Sequence, residues 1–315
     1  MYGVIARLLI LTAMLSLVSC SHKAEQPAAA AASAQASVTE EAKLMQPGVH
    51  SVTFFSKSLQ QEMRMNVYLP PGYTAESQER YPVLYLLHGY TGNEQGWLPG
   101  LGTDQAADAL IGSGEIVPLI IVSPQINNSY GINTADTTRR ACSSCMDEGR
   151  YEDYLYQDVI GYIDSHYPTL ADRKNRFIGG LSMGGFASLH LAFGHPELFS
   201  KVGGHSPAVW LDTFVNAGGL KAWLYPNETL RMERDPIALA QTKDLQGMRV
   251  YLDCGDEDSY RFYEGTEVLY KLLLSRGVTA EYHLQAGKHD GDYWSAHVKD
   301  YLLFYAGISE SSSGG

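Results

Sequence analysis

The chain has 315 residues, 45% of them hydrophobic, which suffices for one large α/β domain or two small ones. Its formal net charge is −12 and no cluster of Lys or Arg interrupts that balance. This argues against nucleic-acid binding, because phosphates demand a basic surface, and it does not decide between acidic and neutral substrates.

The N-terminus predicts export. Arg7 is the one early positive side chain, and residues 8–18 form an apolar stretch too short to span a bilayer comfortably. The stretch ends in Leu17-Val18-Ser19-Cys20, which has the form of a bacterial lipobox. Residues 1–19 therefore read as a signal peptide and Cys20 as a lipidated first residue of the mature chain, the only expected membrane attachment. Ser21 is not the aspartate that retains such proteins in an inner membrane, so an outer-membrane or cell-surface destination is expected. Residues 20–47, alanine-rich after Pro27, have no sustained apolar face and read as a flexible tether. Residues 308–315, rich in Ser and Gly, read as a loose tail.

Between them, residues 48–307 alternate between strand-like and helix-like patterns. Residues 51–59 and 63–69 read as two antiparallel strands, closed by Pro70-Pro71-Gly72. Residues 83–87, 116–122 and 248–252 are continuous apolar runs, as in strands covered on both faces. Residues 127–150 read as an insertion over the active site and, with 207–236, as its lid. Within the insertion, Cys142 and Cys145 lie in a polar stretch. They are not at the helix start that redox chemistry requires, and no second pair of ligands for zinc is nearby. In an oxidising compartment they are within reach of a local disulfide, a pairing the sequence leaves open. Leu155, Val159, Tyr162 and Ile163 form one stripe of a helix that stops before Pro168. Cys254, at the end of an apolar run, reads as a small buried hydrophobe. Val268, Leu269, Leu272 and Leu273 form a stripe on a helix that ends at Gly277. This alternation predicts a mostly parallel, doubly wound α/β sheet with helices on both faces, whose ligands bind beyond the carboxyl ends of the strands.

The chemistry centres on Gly180-Leu181-Ser182-Met183-Gly184. A strand pattern precedes it (176–179) and a helix pattern follows (185–193), so Ser182 is expected on a tight turn with its Oγ in the open. An alcohol needs a base to take its proton. Of the ten histidines, His289 stands in the loop that follows a last strand pattern at residues 280–284 and precedes a final helix pattern. His190 and His195, on or just past the elbow helix, read as packing or capping residues, and His88 closes a strand. The imidazole in turn needs an acid, and residues 253–258 offer four carboxylates, Asp253, Asp256, Glu257 and Asp258. The N–H of Met183 and that of Tyr90, after His88-Gly89, are the candidate donors to an oxyanion.

These pieces together resemble the esterase D, or putative esterase, family of α/β hydrolases. The matching segments are Val67-Tyr68-Leu69-Pro70-Pro71-Gly72-Tyr73, Tyr81-Pro82-Val83-Leu84-Tyr85-Leu86-Leu87-His88-Gly89, Gly179–Gly185 around the serine, 253–258, and Gly287-Lys288-His289-Asp290. The resemblance implies an α/β-hydrolase fold and a serine esterase without metal or other cofactor. It implies a Ser182–Asp258–His289 triad, with Asp256 as the fallback acid. It implies feruloyl, acetyl or similar esters of carbohydrates or small exported molecules as substrates. Trp97, Trp210 and Trp294, with Tyr90 and Tyr130, are the candidate pocket walls. The alternatives are acyl transfer by the same residues and a non-catalytic glycan-binding surface lipoprotein.

Overall fold

The computed structural model describes residues 46–74, 78–136, 138–140, 145–211 and 218–308. Strands β1 (Gly48–Ser56) and β2 (Gln61–Leu69) form an antiparallel hairpin. β3 (Val83–Leu87), β4 (Ile120–Pro124), β7 (Arg176–Leu181), β8 (Lys201–His205), β9 (Arg249–Gly255) and β10 (Thr279–Gln285) complete an eight-stranded sheet in the order β1-β2-β4-β3-β7-β8-β9-β10. β2 meets β4 antiparallel, and every pairing from β4 onward is parallel. The short strands β5 (Arg139–Arg140) and β6 (Asp147–Glu148) pair separately, in the insertion.

Helices cover both faces because successive side chains of a strand point opposite ways. Along β3, Val83, Tyr85 and Leu87 belong to one core and Leu84 and Leu86 to the other. The first core is closed by α2 (Ile160–His166), α3 (Met183–Gly194), α6 (Pro236–Thr242) and α7 (Phe262–Ser275), through residues such as Ile163, Phe186, Leu239 and Leu269. The second is closed by α1 (Thr103–Gly112) and α8 (Gly291–Ala306), through Leu110, Tyr301 and Leu302. Before α2 the helical run starts at Tyr151–Asp153 and widens into a π turn at Tyr154–Val159. Two further short helices, α4 (Gly218–Leu224) and α5 (Glu228–Arg234), lie in the segment expected to cover the site.

Three details differ from the sequence expectation. The apolar run 116–122 is not one strand. Pro118 interrupts it, Ile116 bridges instead to Gly307, and β4 begins only at Ile120. The first strand ends at Ser56 rather than residue 59, in a turn where Gln60 has φ 54°. On α7, Leu269 and Leu273 are buried but Val268 is 42% exposed, so the stripe is narrower than drawn.

Candidate active site

The carboxyl ends of β7, β9 and β10 converge on one edge of the sheet. β7 runs into Ser182, whose φ of 55° and ψ of −116° lie outside the regions a side chain prefers, and α3 starts at the next residue. Such a conformation costs about 1–3 kcal/mol and must be held by its surroundings. The Ser182 N–H donates to the His205 carbonyl at 2.9 Å, and the Ser182 carbonyl accepts the N–H groups of Phe186 and Ala208, both at 3.0 Å. The two glycines of the motif let the turn close. A Cβ on Gly184 would stand 2.2 Å from the Leu87 carbonyl oxygen, and one on Gly180 would stand 2.4 Å from Gly184 backbone.

His289 bridges the serine and an acid. Its Nε2 lies 2.8 Å from Ser182 Oγ and its Nδ1 lies 2.8 Å from Asp258 Oδ2. With Nδ1–H donating a hydrogen bond to the carboxylate, the Nε2 lone pair faces the hydroxyl. The Asp258 side chain is fully buried, and its Oδ1 accepts the Tyr260 N–H at 2.8 Å. The rings of Tyr260, Phe262 and Trp294 pack edge-to-face with the imidazole at centroid distances of 4.9, 5.2 and 5.0 Å. Asp256, the fallback acid, is occupied elsewhere. Its Oδ1 accepts the Gly287 N–H at 3.0 Å, so it staples the loop that carries His289. Asp253 is buried beneath the site, where its carboxylate accepts from His205 Nδ1 (2.8 Å), Tyr293 (2.8 Å) and Tyr301 (2.9 Å). That node ties β8 and β9 to α8.

The 88–92 loop borders the serine. A methyl on Gly89 would lie 2.7 Å from Leu181 Cδ1 and 3.5 Å from Ser182 Cβ. His88 fixes the conformation here. Its Nε2 accepts the Ile126 N–H at 3.0 Å, so Nδ1 carries the proton and donates to the Gly89 carbonyl at 2.8 Å. That carbonyl shares a peptide plane with the Tyr90 N–H, so holding one aims the other. Met183, as the first residue of α3, has an N–H with no acceptor inside the helix.

Burial pulls the His88 imidazole below its ordinary value of 6.5, against smaller opposing contributions from Gly89, Gln125 and Glu94. A protonated His88 would also face the Ile126 N–H with another donor. Below about pH 6.5 the unfolded chain therefore takes up a proton that the folded chain resists, and stability falls with pH. Thermal melts from about pH 7 to pH 5 should show a shallower acid loss for His88→Asn, which cannot titrate there. Equal slopes would remove His88 from the acid sensitivity.

A cavity of about 510 Å³ opens over Ser182. Tyr90, Tyr130, Trp210 and Trp294 line it, together with Met146, Leu220, Tyr260 and Phe262, which sequence reasoning did not single out. Trp97 does not belong to it. Its ring is 1% exposed, its Nε1 donates to the Leu87 carbonyl, and it packs edge-on against His205 and Tyr301 in the second core. Tyr260 and Phe262 follow the acid by two and four residues, and that spacing was the available signal. Cys20, residues 21–45 of the tether and Cys142 lie outside the described residues, and Cys145 is disulfide-bonded. Cys254 is buried and free.

Comparison with known proteins gives concordant matches. The family model described as "Putative esterase" matches residues 56–305. The "Endo-1,4-beta-xylanase/feruloyl esterase" of Xylanibacter ruminicola is 37% identical over 236 residues, covering 74% of this chain but only 28% of that protein. The chain thus spans little more than a quarter of that relative's length. The "Acetyl esterase" of Caldicellulosiruptor saccharolyticus is 22% identical over 83% of this chain and 99% of its own length. The solved structure of a "ferulic acid esterase" superposes with a TM-score of 0.69 at 26% identity, over 83% of this chain and 97% of that one.

Proposed function

The chain belongs to the putative esterase family of α/β hydrolases, and we propose that it is a carboxylic ester hydrolase of the serine class that acts through an acyl-enzyme on Ser182. The observation that carries this reading is the unbroken relay from Ser182 Oγ through His289 to Asp258, with both links at 2.8 Å. His289 takes the serine proton as Oγ attacks the ester carbonyl, then returns it to the departing alkoxide. The Met183 and Tyr90 N–H groups meet the charge that develops on the carbonyl oxygen. Water, activated by the same imidazole, then releases the acid.

For substrate, we propose an aromatic acyl ester of a carbohydrate, of the hydroxycinnamoyl type. Support comes from the rings of Tyr90, Tyr130, Trp210, Tyr260 and Trp294 around the cavity and from the similarity to a xylanase/feruloyl esterase. The second reading, an acetyl ester, is favoured by the similarity to an acetyl esterase. Steady-state kinetics on methyl ferulate, feruloylated xylo-oligosaccharides and acetylated xylan should give the larger kcat/KM for the feruloyl esters. Preference for the acetylated substrate would reverse the assignment.

We further propose export as a lipoprotein anchored through Cys20 by the 20–47 tether. Cys20→Ala should abolish palmitate labelling and membrane fractionation while leaving esterase turnover in place. Persistent labelling would refute lipidation at this residue.

A further inference from the structure

Arg234, the last residue of α5, has no part in the relay and does not line the cavity. It is 9% exposed. Among the described residues no carboxylate lies within ion-pair distance of its guanidinium. Burial draws that group below its ordinary range, against smaller opposing contributions from Glu233, Glu152 and Tyr225. A buried cation without an ion pair is costly unless its donors are well used. Here both terminal nitrogens go to backbone carbonyls on two different segments. Nη1 donates to the Leu224 carbonyl at 2.8 Å and Nη2 to the Asn133 carbonyl at 2.7 Å.

Each of those segments carries a wall of the cavity over Ser182. Leu224 ends α4, which bears Leu220, a lining residue, and Trp223. Asn133 lies three residues after Tyr130 in the same loop, where it bridges to Arg150. The Tyr130 ring is the hub of the wall, with Tyr90, Phe186, Trp210 and Trp223 at centroid distances of 5.5 to 6.4 Å. Arg234 is itself anchored to the elbow helix, since its carbonyl accepts from His190 Nδ1 on α3 at 3.1 Å. One planar fork therefore fixes the spacing between the Tyr130 side and the Leu220 side, referenced to the helix that starts beside the nucleophile.

We propose that Arg234 is a specificity-determining positioning residue, a clamp that sets the width of the cavity and thereby selects the bulk of the acyl group. The proposal rests on the esterase reading above. A small acetyl group needs little of the wall, whereas a planar aromatic acyl group needs both sides at a set separation.

The test uses the full chain and a series of p-nitrophenyl and methyl esters running from acetate through butyrate to ferulate. Arg234→Met keeps much of the volume without the donors, and Arg234→Lys keeps the charge but reaches one carbonyl at best. The ratio of kcat/KM for ferulate to that for acetate should fall by at least about tenfold in Arg234→Met, mainly through KM, with Arg234→Lys in between. Should Arg234→Met fail to fold, the ratio in Arg234→Lys still decides, because a loss of folded enzyme lowers both substrates equally. An unchanged ratio, or equal loss on every ester, overturns the clamp while leaving the esterase reading intact. A wild-type protein that turns over none of the series removes the esterase reading and the clamp with it.

Discussion

Ser182→Ala is expected to lower kcat by about 10⁶-fold, and His289→Ala by a similar factor, with the double variant hardly worse than either. The non-additivity follows from the geometry. His289 Nε2 has the Ser182 hydroxyl as its partner at 2.8 Å, so removing either residue leaves the other without its task. What remains should come from the oxyanion donors and substrate binding alone. Neither substitution should disturb the fold greatly. The Ser182 backbone is held by main-chain bonds to His205, Phe186 and Ala208 that alanine can also make. The positive φ is the one strained feature that alanine shares with serine. Steady-state kinetics alongside thermal melts checks this. Additive losses, or Ser182→Ala with near wild-type turnover, would contradict a shared relay.

The second large effect distinguishes two acids only two residues apart. Asp258→Asn should reduce kcat by about 10⁴-fold, because the amide can present a donor to His289 and favour the tautomer with its proton on Nε2. Its side chain is fully buried and already accepts the Tyr260 N–H on its other oxygen, so it has little freedom to adapt. Asp256→Asn should cost far less, since an amide oxygen can still accept the Gly287 N–H. Parallel kinetics on the two variants settles the order. A crippled Asp256→Asn beside an active Asp258→Asn would exchange their roles.

How much of this could be read in advance depended on whether the cue was local. The elbow is a local motif, with glycines on both sides of Ser182 between an apolar strand and a helix, and the fold places it where the pattern said. His289 follows β10 directly, so its meeting with Ser182 could be anticipated from topology. The acids could not be ranked by composition. Asp253, Asp256 and Asp258 differ in the turn each occupies, which sends one to the core, one to a loop staple and one to the imidazole. β8 escaped notice because Val202 is its one apolar β-former between Lys201 and the glycines 203 and 204. Trp97 was misread because an aromatic residue in a loop after β3 carries no sign of which way it turns. Its indole N–H turns inward to Leu87. The His88 contact to Ile126 and the Arg234 contacts to Leu224 and Asn133 join residues far apart or on separate elements, and no spacing rule marks them.

The covalent intermediate is the centre of the account, and a fluorophosphonate probe followed by peptide mass spectrometry tests it most directly. The relay predicts one adduct per chain, on the peptide that contains Ser182, formed in step with the loss of esterase activity and absent from Ser182→Ala. Full esterase activity with no adduct, or an adduct on another residue that tracks the loss of activity, would contradict it.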